Sequence, residues 1–219
     1  VCFPWITSSA KAEIQATGAE DLGTAINGVK GGSCVSGTCQ ISGGKDLGKN
    51  RFHRFSSFNT LGPIDEVKFE TAGQSNLIIG VTSTSGSYID KPINLSSPSN
   101  IFWLSPGGIK FRSGASFVNT LQLNMSTANA LEFKNGIFNV FELNNLDPKL
   151  IDDPILGHNK FINESSFSNR FNIDNVSNIT LDGINISVDN KLFLDSSIGS
   201  IEIFDSHLTT SKENLLLDF

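Results

Sequence analysis

The chain predicts an all-β fold of short stacked strands, and three observations carry that expectation. Helix formers are scarce: there is one Met among 219 residues, charged residues make up 17%, and few Ala, Glu, Lys or Arg fall together. Apolar residues come in short segments, alternating or continuous, cut by Gly, Asn, Asp, Ser and Pro. The C-terminal quarter also repeats itself. Ile179-Thr180-Leu181-Asp182 recurs as Ile201-Glu202-Ile203-Phe204-Asp205, and Leu192-Phe193-Leu194-Asp195 recurs as Leu215-Leu216-Leu217-Asp218, at offsets of 22 to 23 residues. Phe171-Asn172-Ile173-Asp174 precedes the Leu192 arm by 21 residues in the same form. A unit of strand, turn and strand at this period marks a solenoid. Leucine-rich repeats share the period, but their fixed Leu and Asn spacing is absent. A parallel β-helix remains, with Ile, Leu, Val and Phe stacked inside and Asn, Ser and Asp satisfying turn backbone.

Taken in order, the chain begins with an apolar stretch, Val1 to Ile6, followed by Ala10-Lys11-Ala12, a small-x-small pattern. Residues 1–12 read as a signal-peptide remnant cleaved after Ala12, or else as a short N-terminal strand of the fold. Cleavage there removes Cys2 and leaves Cys34 and Cys39, two short arms around a Gly-containing turn. That spacing suits a hairpin disulfide closing a small loop, worth about 2 kcal/mol on the chain-entropy model. A disulfide needs an oxidising compartment. A zinc site would need two further ligands nearby, which His53 alone does not supply.

Short strands follow at Gln40–Ser42, Arg51–Phe55, Val67–Phe69, Leu77–Val81, Ile101–Leu104 and Gly108–Phe111, then at Phe117–Val118, Leu121–Met125, Leu131–Phe133 and Ile137–Phe141. Between the fifth and sixth, Ser105-Pro106-Gly107-Gly108 predicts a type II turn, with Pro presetting φ and Gly107 free to take a positive φ. Residues 144–163, with Pro148, Pro154, Gly157 and His158, carry weaker strand signals and read as an extension from the stack. Coils resume over 164–219.

Composition excludes several functions. A net charge of −6 and a pI near 5.0 argue against a nucleic-acid surface. No apolar run approaches the ~20 residues of a membrane-spanning helix. Catalysis on a β-helix needs carboxylates, Lys or Arg gathered in one groove. The adjacent acidic pair Asp152-Asp153 reads as a solvated turn beside Pro154. His53, His158 and His207 are far apart, no nucleophile–His–acid pattern occurs, and Gly31-Gly32 and Gly43-Gly44 lack the Lys-Ser/Thr of a phosphate loop. Six N-x-S/T sequons, including Asn163, Asn178 and Asn185, are expected by chance in a chain this rich in Asn and Ser. The sequence therefore offers no catalytic, cofactor-binding or metal-ligating set, and the chain reads as a non-enzyme.

Four blocks carry a resemblance. The first is Ile41-Ser42-Gly43-Gly44-Lys45 with Asn50-Arg51-Phe52-His53-Arg54-Phe55-Ser56-Ser57-Phe58-Asn59. Next come Asn76-Leu77-Ile78-Ile79-Gly80-Val81-Thr82, with Ser87-Tyr88-Ile89-Asp90 behind it, and then Ile101-Phe102-Trp103-Leu104-Ser105-Pro106-Gly107-Gly108-Ile109-Lys110-Phe111. The last is Ser126-Thr127-Ala128-Asn129-Ala130-Leu131-Glu132-Phe133. In this order, over Glu20 to about Phe141, they resemble the N-terminal secretion domain of filamentous-haemagglutinin-like exoproteins, the passengers of two-partner secretion. The chain departs from the family at Arg51 (Leu), Arg54 (Ser), and at Ser105 and Gly107, which replace the two Asn of the N-P-N-G-I turn. The N-P-N-L motif is absent as such, with Asn76-Leu77 its nearest counterpart.

The resemblance implies a right-handed parallel β-helix with an N-terminal cap over 13–42, a family-matching core over 43–143, and extra-helical β-hairpins. It implies export through the periplasm to the surface or medium. The partner would be the POTRA modules of a dedicated outer-membrane pore, and glycans of a host or cell surface would be met by a region downstream. Recognition and folding motifs would include Arg51, Phe52, His53, Phe55, Phe58, Asn76, Leu77, Ser105, Pro106, Gly107, Gly108 and Ile109. The turn at Ser105 reads equally as a recognition element or a plain coil corner, and His53 as a motif residue or a packed histidine satisfied by backbone. A carbohydrate-binding or carbohydrate-active β-helix, and a structural adhesin segment without a transporter, are the competing readings.

Overall fold

The computed structural model describes residues 12–154, 161–163, 177–197, 199–212 and 215–218. Residues 1–11 with Cys2, the stretch holding Gly157 and His158, and the Phe171–Asp174 repeat arm lie outside the described residues. Ala12 is buried and the first strand starts at the next residue.

The N-terminal segment forms β1 (Glu13–Ala16), β2 (Thr24–Ile26), β3 (Val29–Lys30), β4 (Ser33–Cys34), β5 (Gly37–Gly43) and β6 (Lys45–Leu47). The coils begin with β5 and run through β7 (Asn50–Asn59), β8 (Ile64–Phe69), β9 (Asn76–Val81) and β10 (Ser87–Ile89). They continue through β11 (Pro92–Leu104), β12 (Ile109–Arg112) and β13 (Ser116–Ser126). An excursion follows with β14 (Ala130–Phe133), β15 (Gly136–Asn139) and β16 (Phe161–Ile162). The stack then resumes as β17 (Ile179–Asp182), β18 (Asn185–Val188), β19 (Lys191–Asp195), β20 (Ile201–Phe204), β21 (His207–Thr210) and β22 (Leu215–Asp218).

The described chain is all-β, a parallel β-helix with three ladders of stacked strands. One runs β7–β9–β11–β13–β19–β22. A second runs from the end of β7 through β10, β12, β17 and β20. The third joins β5, β8 and the first halves of β11 and β13, with β18 and β21 paired below. The repeat read from the sequence matches the register: Ile179 pairs with Ile201 and Leu192 with Leu215.

Alternation sets the interior. In the first ladder Leu77, Ile101, Leu123 and Leu192 share an inward row, and Ile79, Trp103, Met125 and Leu194 share the next. Phe111 and Leu181 stack on the second face and Val67, Ile93 and Phe117 on the third. The opposite rows on the first ladder are apolar too: Phe52, Ile78, Phe102 and Leu104 are buried beneath Leu131, Phe133, Phe138, Val140 and Leu150 of the excursion. Strands covered on both sides read as continuous apolar runs, and Leu77–Val81 and Ile101–Leu104 are such runs. Leu131 and Phe133 thus fill a second core outside the coil rather than its interior. The departure from the coil path follows Ser126, well before the 144–163 extension that the sequence suggests, because β14 and β15 pair with each other in a separate sheet.

Antiparallel strands close the first coil on all three faces. β1 covers the end of β7, β6 covers its beginning, and β2 covers β5. Cys34 and Cys39 are bonded, Cα to Cα 5.7 Å, and both are buried. Their arms do not form a hairpin as the spacing suggests. β4 pairs with β1, whereas β5 pairs with β2 and β8, so the bridge ties the cap to the first coil.

Two outcomes are expected. Thiol labelling of the non-reduced protein should find Cys34 and Cys39 unreactive, and reaction at both would contradict the bridge. Phe111→Ala in the coil interior and Phe133→Ala in the second core should each cost about 3–5 kcal/mol in urea unfolding. Losses under about 1 kcal/mol at both sites would refute the two cores.

Candidate functional site

The motif residues gather on the first and second ladders and at the corner between them. Asn50, Asn76 and Asn100 stand in one register row and bond in series: Asn76 Nδ2 donates to Asn50 Oδ1 (2.8 Å) and Asn100 Nδ2 to Asn76 Oδ1 (2.9 Å). Asn50 Nδ2 donates onward to the carbonyls of Leu150 (2.8 Å) and Asp152 (2.6 Å), and Asn76 Nδ2 donates to Asp153 Oδ1. The Asn row is therefore a ladder that clamps the Leu150–Asp153 stretch of the excursion. Hydrogen bonds from Asn76 and Lys49 hold the Asp153 carboxyl below its ordinary range.

The two arginines that depart from the family pattern have separate uses. Arg51 occupies the inward row above Leu77, at the capped end where β6 lies over it. Its Nε and Nη2 grip Asp46 at 2.7 and 2.8 Å, and Nη1 donates to the Glu70 carbonyl at 2.8 Å. Those bonds from Arg51 hold the Asp46 carboxyl below the usual carboxylate range. Arg54 faces outward but is wholly covered. It pairs through Nη1 with Asp21, donates Nη2 to the Asn139 carbonyl (3.1 Å), and lies 5.2 Å over the Phe138 ring. Asp21 also accepts from the Thr17 hydroxyl and from the Asn144 amide (2.7 Å). Burial pulls the Arg54 pKa down and Asp21 opposes the shift.

Phe52, Phe55 and Phe58 are fully buried, Phe52 against Phe133 and Phe138, Phe55 and Phe58 edge-to-face within the coil. His53 is equally buried, and its partner is the Thr24 hydroxyl (3.1 Å from Nδ1) rather than backbone. Asn76, Leu77, Ser105 and Ile109 are also buried.

The turn at Ser105 differs from the type II form. Gly108 N donates to Ser105 O (2.9 Å), but the positive φ falls on Gly108 (+101°) and not on Gly107. Gly107 is needed for space, since a Cβ there would lie 2.4 Å from both Gly86 N and Ser83 O of the coil above. A buried chain of donors holds the corner. Trp103 Nε1 donates to Ser87 Oγ (3.0 Å), Ser87 Oγ to Ser105 Oγ (3.0 Å), and Ser105 Oγ to the Gly108 carbonyl (2.9 Å). Trp103 meets Phe58 edge-on at 4.6 Å, which joins the first block to the third. In the fourth block Ser126 Oγ accepts the Ala128 amide (2.9 Å) and donates to Asp195, shaping the point where the chain leaves the coil.

The structure brings the first three blocks onto adjoining coils and folds the fourth over them from Ser126, into a packed unit and not a cleft. Sequence reasoning missed Asp21, Asp46 and Asn139, and it gave Ser87 no role beyond its place behind the second block. The first three bear on positions where this chain holds Arg, so an unpaired Arg in an apolar block was the available signal. A shallow groove of about 350 Å³ lies elsewhere, lined by Gln40, Ser42, Lys68, Glu70, Asn94 and Ser96 on three successive strands. Among the described residues no group of three or more His, Cys, Asp or Glu is placed to hold a metal ion, and no helix is long and apolar enough to cross a membrane.

No protein-family model matches the chain, and no curated protein matches it either.

Arg54→Ala leaves Asp21 buried and unpaired, and should cost about 3–5 kcal/mol by urea unfolding. The double variant Arg54→Met, Asp21→Asn should regain at least half of that loss. A single-variant loss under about 1 kcal/mol would show that the pair does not join the three parts.

Proposed function

We propose that this chain is the secretion-signal and folding-nucleus domain of a large surface or secreted exoprotein of the filamentous-haemagglutinin type. The POTRA modules of its own outer-membrane pore read it in the periplasm, before it folds. The observation that carries the reading is the placement of the four blocks. The first three stand on adjoining coils in a common register, the fourth leads out of the next coil from Ser126, and most of their apolar side chains are buried once folded. Arg51, Phe52, His53, Phe55, Phe58, Asn76, Leu77, Ser105, Gly108 and Ile109 offer almost no surface to a partner in the native state. Pro106 and Gly107 are only half-buried. Extended, the same segments present backbone and alternate side chains to a sheet edge, the mode by which a strand is added to a partner. Folding then withdraws them and releases the partner.

The carbohydrate-binding reading rests on the groove, where amide, hydroxyl, Lys68 and Glu70 groups recur from strand to strand. It is the weaker one, since Glu70 is the sole carboxylate among those lining side chains.

The test uses the POTRA module of the pore encoded beside this gene. The chain held unfolded in urea and then diluted onto immobilised module should be retained, while the refolded chain should pass through. Equal retention of the refolded chain, no retention of either, or a genome without such a pore would overturn the proposal. Retention of the refolded chain by a glycan array instead would favour the groove.

A further inference from the structure

His53 sits at the sealed end of the coil. Its ring stacks with Phe55 at 6.2 Å and meets Phe69 edge-on at 5.7 Å, in register above Ile79. Nδ1 reaches the Thr24 hydroxyl of β2, and Nε2 has no partner. Gly44 closes the Cε1 side so tightly that a methyl group there would stand 2.8 Å from it. A neutral imidazole fits this box with one hydrogen bond. An imidazolium carries two N–H donors and finds one acceptor, so a charged donor would be buried without a partner. The charged groups nearby are Arg51 on the same strand and Asp46 on β6, which already hold each other. The other elements against the ring present Thr24 from β2, Phe69 from β8 and Ile79 from β9, none of them charged.

We propose that His53 is an acid-sensitive latch between the N-terminal cap and the first coil, whose protonation frees β2 and Gly43-Gly44 while the lower coils stay folded. Within the cap, β2 yields first because its hold on the coil is short. β2 meets β5 through three register pairs, Thr24 with Gly43, Ala25 with Ser42 and Ile26 with Ile41, whereas β7 is zipped to β9 through six. Local opening draws on such weakly held segments. The latch stands whether or not a POTRA module reads this chain.

The sign follows from the chemistry. Burial, with Arg51 adding to it and Asp46 opposing, lowers the His53 pKa from 6.5 to about 3. The opened form binds the proton first, so the contribution to closure is complete above pH 6.5 and is lost as pH falls toward 3. The opening constant at pH 5 should be about thirtyfold that at pH 7.5.

Amide hydrogen exchange on the full chain at pH 7.5 and pH 5, corrected for intrinsic rates, tests this. Protection at Thr24–Ile26 and Ile41–Gly44 should fall about thirtyfold in acid, while Leu123–Ser126 and Leu192–Leu194 hold theirs. In His53→Gln the cap response should vanish. An equal acid response in that variant, a parallel loss in the lower coils, or no response in the unaltered chain would overturn the latch. Should His53→Gln fail to fold, proton NMR of the unaltered chain decides. A native His53 that titrates near its ordinary pKa with the cap still protected overturns the proposal, and one that stays neutral until the cap exchanges supports it.

Discussion

One buried ion pair joins the three parts of this molecule. Asp21 comes from the cap, Arg54 from the first coil, and the Asn139 carbonyl and Asn144 amide that complete the network come from the excursion. Removing two charges from water costs several kcal/mol per ion unless their donors and acceptors are met. Each of the three parts supplies some of those partners. The full network therefore forms only when cap, coil and excursion are all in place, which couples their assembly. Arg51 with Asp46 repeats the device on the inner side, where a guanidinium plugs the end of an apolar core.

The architecture was open to sequence reasoning because stacking imposes a period. Ile179 over Ile201 and Leu192 over Leu215 are the repeats in register, and the disulfide was open for a similar reason, since two cysteines five residues apart had few alternatives. What was hidden depends on contacts between distant segments. Nothing near Asp21 marks it as the partner of Arg54, and nothing near Thr24 points to His53. The second core left a trace that was read only as strand: Leu77-Ile78-Ile79 and Ile101-Phe102-Trp103 lack the polar alternates that a water-facing surface would require. At the Ser105 corner, turn chemistry alone located the turn but not its type. There Gly107 supplies the close approach to the coil above, and the positive φ falls one residue later, on Gly108.

The burial of the motif residues constrains any account of what they do. A side chain with no exposed surface either serves the fold or is read before the fold exists. Phe52, Phe55, Phe58, Leu77 and Ile109 satisfy the first demand visibly, through the rings and rows they complete. The same residues can meet the second only while the strands are extended. Sequence constraint from both sources would fall on identical positions, so stability and recognition must be measured separately to be told apart.

The excursion between β13 and β17 has a consequence for how such a chain can change over time. Ile109 lies over Ile179 in unbroken register although 70 residues separate them, against 22 between Ile179 and the next coil's Ile201. Closing the longer loop costs only about 1 kcal/mol more in chain entropy. The corner after Ser126 is thus a port where new sequence can be spliced in while the ladders on either side keep their phase. Segments gained there would be displayed on the flank of the stack, and their content could diverge freely so long as a few apolar residues remained to seal Phe52, Ile78 and Phe102 from water.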